Sequence, residues 1–163
     1  ILSTAAALKL SKASVNSYLP YQKGVYFPNE ASAEKISIGA ERQRRYRAIR
    51  KLRSEPTEER LWEVILLYSG VCFKTYSGLP FTYEIRKGRN GQYTKELWID
   101  RREKSKSLAW SSVLLALRNI KNVGEVVDRP KALGDIRGVT YIYGMFYRFG
   151  LIDIPDEVKE KIL

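Results

Sequence analysis

Two alternating stretches around an Asn-Gly turn constrain this chain more than any other feature. Phe81-Thr82-Tyr83-Glu84-Ile85-Arg86 alternates apolar and polar residues, and Tyr93 to Asp100 alternates again through Leu97 and Ile99. A period of two places all the apolar side chains of a strand on one face. Between the stretches, Lys87-Gly88-Arg89-Asn90-Gly91-Gln92 supplies the glycine and asparagine that a reversal needs. The spacing predicts a β-hairpin inside a β segment that runs from about Cys72 to Asp100. Cys72, between Val71 and Phe73, reads as a small buried hydrophobe.

Helical patterns flank the hairpin. Thr57 is placed to cap a helix with Glu58 and Glu59 in its first turn; Leu61, Trp62, Ile65 and Leu66 form the apolar face, and Gly70 closes it. A second amphipathic helix is predicted from about Ser107 to Ile120, with Trp110, Val113, Leu114, Leu117 and Ile120 on one face. A third runs from about Val139 to Phe149 and is stopped by Gly150; its Tyr141, Tyr143, Phe146 and Tyr147 read as core, not as a stacking platform. A short charged helix follows Pro155. Strands and helices are segregated along the chain, which predicts an α+β fold. The expected parts are a helical head over residues 1–30, a basic helical connector over 31–55 and an α+β body over 56–163.

The connector carries the charge argument. Glu41 to Arg53 holds seven cations in thirteen positions, Arg42, Arg44, Arg45, Arg47, Arg50, Lys51 and Arg53, and only Tyr46, Ile49 and Leu52 recur at helical spacing. A narrow apolar stripe ringed by cations predicts a helix lying on a phosphate backbone or on an acidic protein surface, with a solvated linker helix as the alternative. The whole chain of 163 residues carries 29 Lys and Arg against 18 Asp and Glu, a net charge of +11. Such a balance points first to a polyanion. No apolar run approaches the roughly 18 residues of a spanning helix, so nucleic acid is favoured over a membrane. Lys87 and Arg89 in the hairpin turn, and Arg101, Arg102, Lys104 and Lys106 after it, extend the candidate phosphate-binding or acidic-partner set.

The amino-terminal stretch from Ala5 to Tyr18 has the pattern of a helix-turn-helix. Ala5 is small at the helix crossing, Leu8, Leu10, Val15 and Tyr18 supply a small shared core, and Ser11 can cap the second helix. Lys12, Ala13, Asn16 and Ser17 then face outward, short or polar as an approach to base edges requires. An ordinary helical hairpin is the alternative. The segment resembles the DNA-reading part of region 4 of sigma factors and related response-regulator domains, although those turns usually carry glycine where this chain has Lys9. The pattern begins inside its first helix at Ile1, so preceding residues that would close its core are expected.

The sequence holds no histidine and one cysteine. Ser–His and Cys–His nucleophiles, His/Cys zinc sites and intramolecular disulfides are thereby excluded, and a lone thiol fits a reducing cytoplasm. The remaining catalytic option is a Mg²⁺-dependent nuclease using Glu84, Asp100 and Glu103. Such enzymes pair an acid with a Glu-x-Lys element, whereas Glu103 is followed by lysine one and three residues on, and Glu84-Ile85-Arg86 carries an arginine, a poor base. Cross-strand ion pairs with neighbouring Arg and Lys are the preferred role for these acids. No catalytic residue, cofactor or metal is expected.

Gly78-Leu79-Pro80-Phe81-Thr82-Tyr83, Leu97-Trp98-Ile99-Asp100-Arg101-Arg102, Ser105-Lys106-Ser107 and Arg129-Pro130-Lys131-Ala132-Leu133-Gly134 bring a second resemblance. Here the chain resembles the type II-A anti-CRISPR proteins of clostridial phages and plasmids, stoichiometric inhibitors of Cas9. The resemblance implies a non-enzymatic protein of a mobile element acting in the cytoplasm of a bacterial host, with double-stranded DNA and Cas9 bearing its guide RNA as partners. Without it, the residues point to a helix-turn-helix transcriptional regulator of a phage or plasmid.

Overall fold

Pro56 and Thr57 stop one helix from running into the next. In the computed structural model, which describes residues 30–100 and 106–163, helix α1 spans Glu30–Ser54 and helix α2 spans Glu58–Leu67. Pro56 and the extended Thr57 (φ −106°, ψ 162°) separate them, and the Thr57 hydroxyl accepts the backbone N–H of Arg60 at 3.4 Å. Glu58 and Glu59 fill the first turn of α2, where negative charge is favoured by the helix dipole. Arg60 reaches back to the end of α1, donating to the carbonyls of Lys51 (3.0 Å) and Glu55 (3.3 Å) and pairing with the Glu55 carboxylate at 3.0 Å.

Four antiparallel strands follow in the spatial order β1-β2-β3-β4: β1 is Phe73–Lys74, β2 Pro80–Lys87, β3 Tyr93–Asp100 and β4 Lys106–Ala109. Phe81 and Tyr83 of β2 and Leu97 and Ile99 of β3 are buried, so the period-two pattern faces the core as expected. The β2–β3 register slips between Ile85 and Lys87. Beyond it the chain reverses through Gly88 to Gln92, with Gly91 at φ +74° and the Asn90 side chain accepting the Gln92 N–H at 3.1 Å.

Three helices complete the fold: α3 (Trp110–Asn119), α4 (Val139–Arg148) and α5 (Asp156–Ile162). Helix α4 is buried almost all round, with Val139 and the run Tyr141 to Phe146 all buried. Its aromatic residues are core, as their helical spacing implied. Gly144 lies directly against the Lys74 carbonyl of β1, so any Cβ at this position would collide with backbone. Phe73 centres an aromatic cluster with Phe81 (5.7 Å), Tyr83 (5.8 Å) and Phe149 (5.8 Å between ring centroids). The fold of the described residues is α+β.

The structure differs from the sequence-based expectation in two places. The helix expected from Ser107 begins at Trp110, because Ser107, Leu108 and Ala109 pair with Trp98, Leu97 and Glu96 as a fourth strand. That pairing satisfies backbone groups of β3 that would otherwise face no partner. Cys72 is exposed, since the short β1 turns the neighbouring Phe73 inward instead. The chain divides into two compact units at Gln43/Arg44, inside α1. From Arg44 onward the helix packs with the body: Ala48 and Leu52 are buried and belong to its core. Burying the Leu52 side chain contributes about 2 kcal/mol to this packing. The expected helix-turn-helix lies outside the described residues.

Candidate nucleic-acid interface

The basic helix has two unlike sides. Ala48 and Leu52, one turn apart, face the core with Ile49 beside them; Tyr46, expected in that stripe, is 60% exposed. The stripe is therefore centred on the i, i+4 pair of Ala48 and Leu52. Tyr46 instead lies beside the Arg50 guanidinium, 5.9 Å from its ring centroid.

Arg44, Arg47 and Lys51 occupy positions i, i+3 and i+7, and so form one row along the helix. Arg50 adjoins the row, and all four residues are exposed. Among the described residues none of the four has an ion-pair partner. Cations held in a row, without acids to neutralise them, keep their full attraction for an external polyanion.

Arg45 does not belong with them. Its Nε donates to the Leu67 carbonyl at 2.9 Å, and its guanidinium sits 5.3 Å from the centre of the Tyr68 ring. This arginine clamps α1 to the end of α2, a role that its position beside the Ala48–Leu52 stripe dictates. Arg53 is exposed, and its side chain lies across Gly150, where a Cβ would come within 3.0 Å of Arg53 Cδ and Nε. Arg42 is exposed and lies on the other side of the unit division.

Lys87 and Arg89 stand exposed at the hairpin end, with the Lys87 ammonium 5.3 Å from the centre of the Tyr93 ring. Lys106 opens β4. Lys12, Ala13, Asn16 and Ser17, and likewise Arg101, Arg102 and Lys104, lie outside the described residues.

The outer sheet face has the opposite electrostatic character. Register places Glu84 opposite Trp98 and Thr82 opposite Asp100, so Glu84 and Asp100 are diagonal neighbours on one face. The expected cross-strand ion pairs are not formed by these two acids among the described residues, because an indole and a hydroxyl occupy the facing positions. The Arg86 guanidinium stacks on Trp98 at 4.1 Å from the ring centroid, a pairing that alternation along β2 and β3 made possible but did not single out. No group of three His, Cys, Asp or Glu suited to a metal ion occurs among the described residues. Glu84, Glu96 and Asp100 outnumber Arg86 on this face, so phosphate is better met by the α1 row or by Lys87 and Arg89 at the hairpin end.

A further polar cluster closes the core near the hairpin. Glu58 accepts from Trp110 Nε1 at 2.9 Å and from the Lys95 ammonium at 3.2 Å. These bonds, the Trp110 one foremost, hold its carboxyl below the ordinary value. Trp62 meets Trp110 edge-on at 5.0 Å.

Comparison with known protein families, with curated proteins and with solved structures gives no match to this chain. No helix among the described residues is long and apolar enough to cross a membrane.

Proposed function

We propose that this protein is a non-enzymatic binder of nucleic-acid backbone, and that it inhibits Cas9 by stoichiometric association with the guide-bound enzyme. The observation that carries the first half is the exposed row of Arg44, Arg47 and Lys51, with Arg50 beside it, unneutralised among the described residues. Phosphates are the natural counter-charge for such a row, and double-stranded DNA presents them densely. Base reading falls to Lys12, Ala13, Asn16 and Ser17 in this proposal. The second half rests on the resemblance to type II-A anti-CRISPR proteins. Charge gives it a direction: Cas9 holds nucleic acid in a positively charged channel, so a basic inhibitor associates better once guide RNA supplies negative charge.

Fluorescence anisotropy of a labelled duplex, titrated at several salt concentrations, tests the first half. If the four cations each neutralise one phosphate, log K falls against log salt with a slope of about −3.5. A duplex left unbound by micromolar protein at low salt refutes it. Co-purification with tagged Cas9, with and without guide RNA, tests the second, alongside plasmid cleavage at tenfold molar excess of the protein. Duplex binding with no Cas9 association and full cleavage would leave a DNA-binding transcriptional regulator.

A further inference from the structure

The two edges of the sheet are treated differently. At the β1 edge the Lys74 carbonyl lies against Gly144, so helix α4 covers it. At the opposite edge β4 pairs only with β3, and among the described residues no strand or helix pairs with its outer side. In an antiparallel pair, alternate residues turn their N–H and C=O groups away from the partner strand. The free side of β4 therefore offers a short ladder of unused donors and acceptors. Natural sheets usually blunt such an edge with charged side chains, proline, a bulge or a covering element, and here Lys106 opens the strand. The Ser107-Leu108-Ala109 stretch carries none of these among the described residues.

A cleft of about 440 Å³ borders this edge, lined among others by Glu96, Ser107, Ala109, Ser112, Arg137 and Thr140. It is within the size range of sites that hold a few side chains. It carries one charge of each sign, Glu96 and Arg137. The Glu96 carboxylate accepts a hydrogen bond from the Ser107 hydroxyl, which orients that carboxylate without neutralising it. Arg137 is exposed and has no ion-pair partner among the described residues. The hydroxyl-bearing Ser112 and Thr140 add polar lining. A strand edge, a cleft for a side chain and an unpaired arginine together specify an extended ligand with a carboxylate.

We propose that the outer edge of β4 and its cleft are a docking site for an extended segment of a partner protein that adds a fifth strand and places an Asp or Glu side chain, or a terminal carboxylate, against Arg137. Backbone pairing supplies affinity in this mode, and the pocket beside the edge supplies selectivity. The site is separate from the α1 cation row and does not depend on nucleic-acid binding.

Panning a random nine-residue peptide display library on the full chain tests the proposal. The expected result is enrichment of acidic, extended sequences. Synthetic copies should shift the backbone amide resonances of Ser107, Leu108 and Ala109, and N-methylation of alternate peptide amides should weaken them at least tenfold. Arg137→Glu, a surface change, should weaken the same peptides at least tenfold while duplex binding by the α1 row persists. Absence of enrichment, peptides indifferent to both Arg137→Glu and N-methylation, or shifts confined to other residues would overturn it. So would sedimentation showing the β4 edge closed by a second copy of the chain, or the same amide shifts produced by duplex DNA.

Discussion

The Tyr83 phenol donates a hydrogen bond to the carbonyl of Ile65 at 2.6 Å, and both residues are fully buried. It joins the central strand of the hairpin to α2 through one polar contact inside an apolar core. Burial pushes the phenol well above its ordinary value of 10.0, and burial does the same to Tyr143, which donates to the Val127 carbonyl at 2.7 Å. The neutral phenol is thus favoured in the folded state. In the unfolded chain it ionises near pH 10, so the stability present below that pH declines as pH rises above it. Tyr83→Phe should lose about 1 kcal/mol at neutral pH, through the missing hydrogen bond, yet unfold less steeply with pH above 10. Urea denaturation at pH 7 and at pH 11 checks both signs.

Arg45 and Arg47 are two residues apart and should behave oppositely. Arg47→Ala is expected to leave stability within about 0.5 kcal/mol of the parent. It should reduce the magnitude of the salt slope for duplex binding by about 0.9, equally for all sequences. Arg45→Ala removes the donor to the Leu67 carbonyl and the contact with Tyr68 and should cost about 2 kcal/mol of stability. Thermal denaturation and anisotropy on the same pair of variants separate the two roles. Equal loss of DNA affinity, with no difference in stability, would contradict the geometry.

Gly144→Ala should destabilise the protein by about 3 kcal/mol, because the new methyl meets a backbone carbonyl that belongs to a strand and cannot swing aside. Gly124→Ala is the matching control, since a Cβ there meets nothing within 4 Å. Chemical denaturation of both variants should show the loss only in the first.

Glu58 links Trp110 and Lys95, and its carboxyl is held below the ordinary value of 4.5. A depressed carboxyl contributes stability above its unfolded value and loses that contribution as pH falls through the folded one. Glu58→Gln should therefore be less stable than the parent at pH 7, and the gap should close at strongly acid pH. Tryptophan fluorescence followed during denaturation at pH 7 and pH 2.5 measures it. A gap unchanged between the two pH values would remove the proposed linkage.

Much of the fold was legible because it depends on local periodicity. The alternation of residues 81–86 and 93–100, the cap at Thr57 and the acids after it, and the apolar run of residues 139–149 are each set by neighbours within a few residues. The structure forms the hairpin, the capped helix and the buried helix where those patterns lie. The concentration of cations between Arg42 and Arg53 is likewise a property of the sequence alone. Tertiary contacts decided the rest. Ser107 to Ala109 reads as the start of a helix until β3 presents an unsatisfied edge for it to pair with. Arg45 looks like its neighbours in the sequence, and only the position of the Leu67 carbonyl and the Tyr68 ring converts it from a surface cation into a clamp. Arg137 had no local signal at all, because its place beside the free edge of β4 arises from residues 30 positions apart brought together by the fold. Local patterns determine which element forms, since backbone geometry repeats over two or four residues. Which charges stay free to meet a partner depends on what the packed chain sets against them.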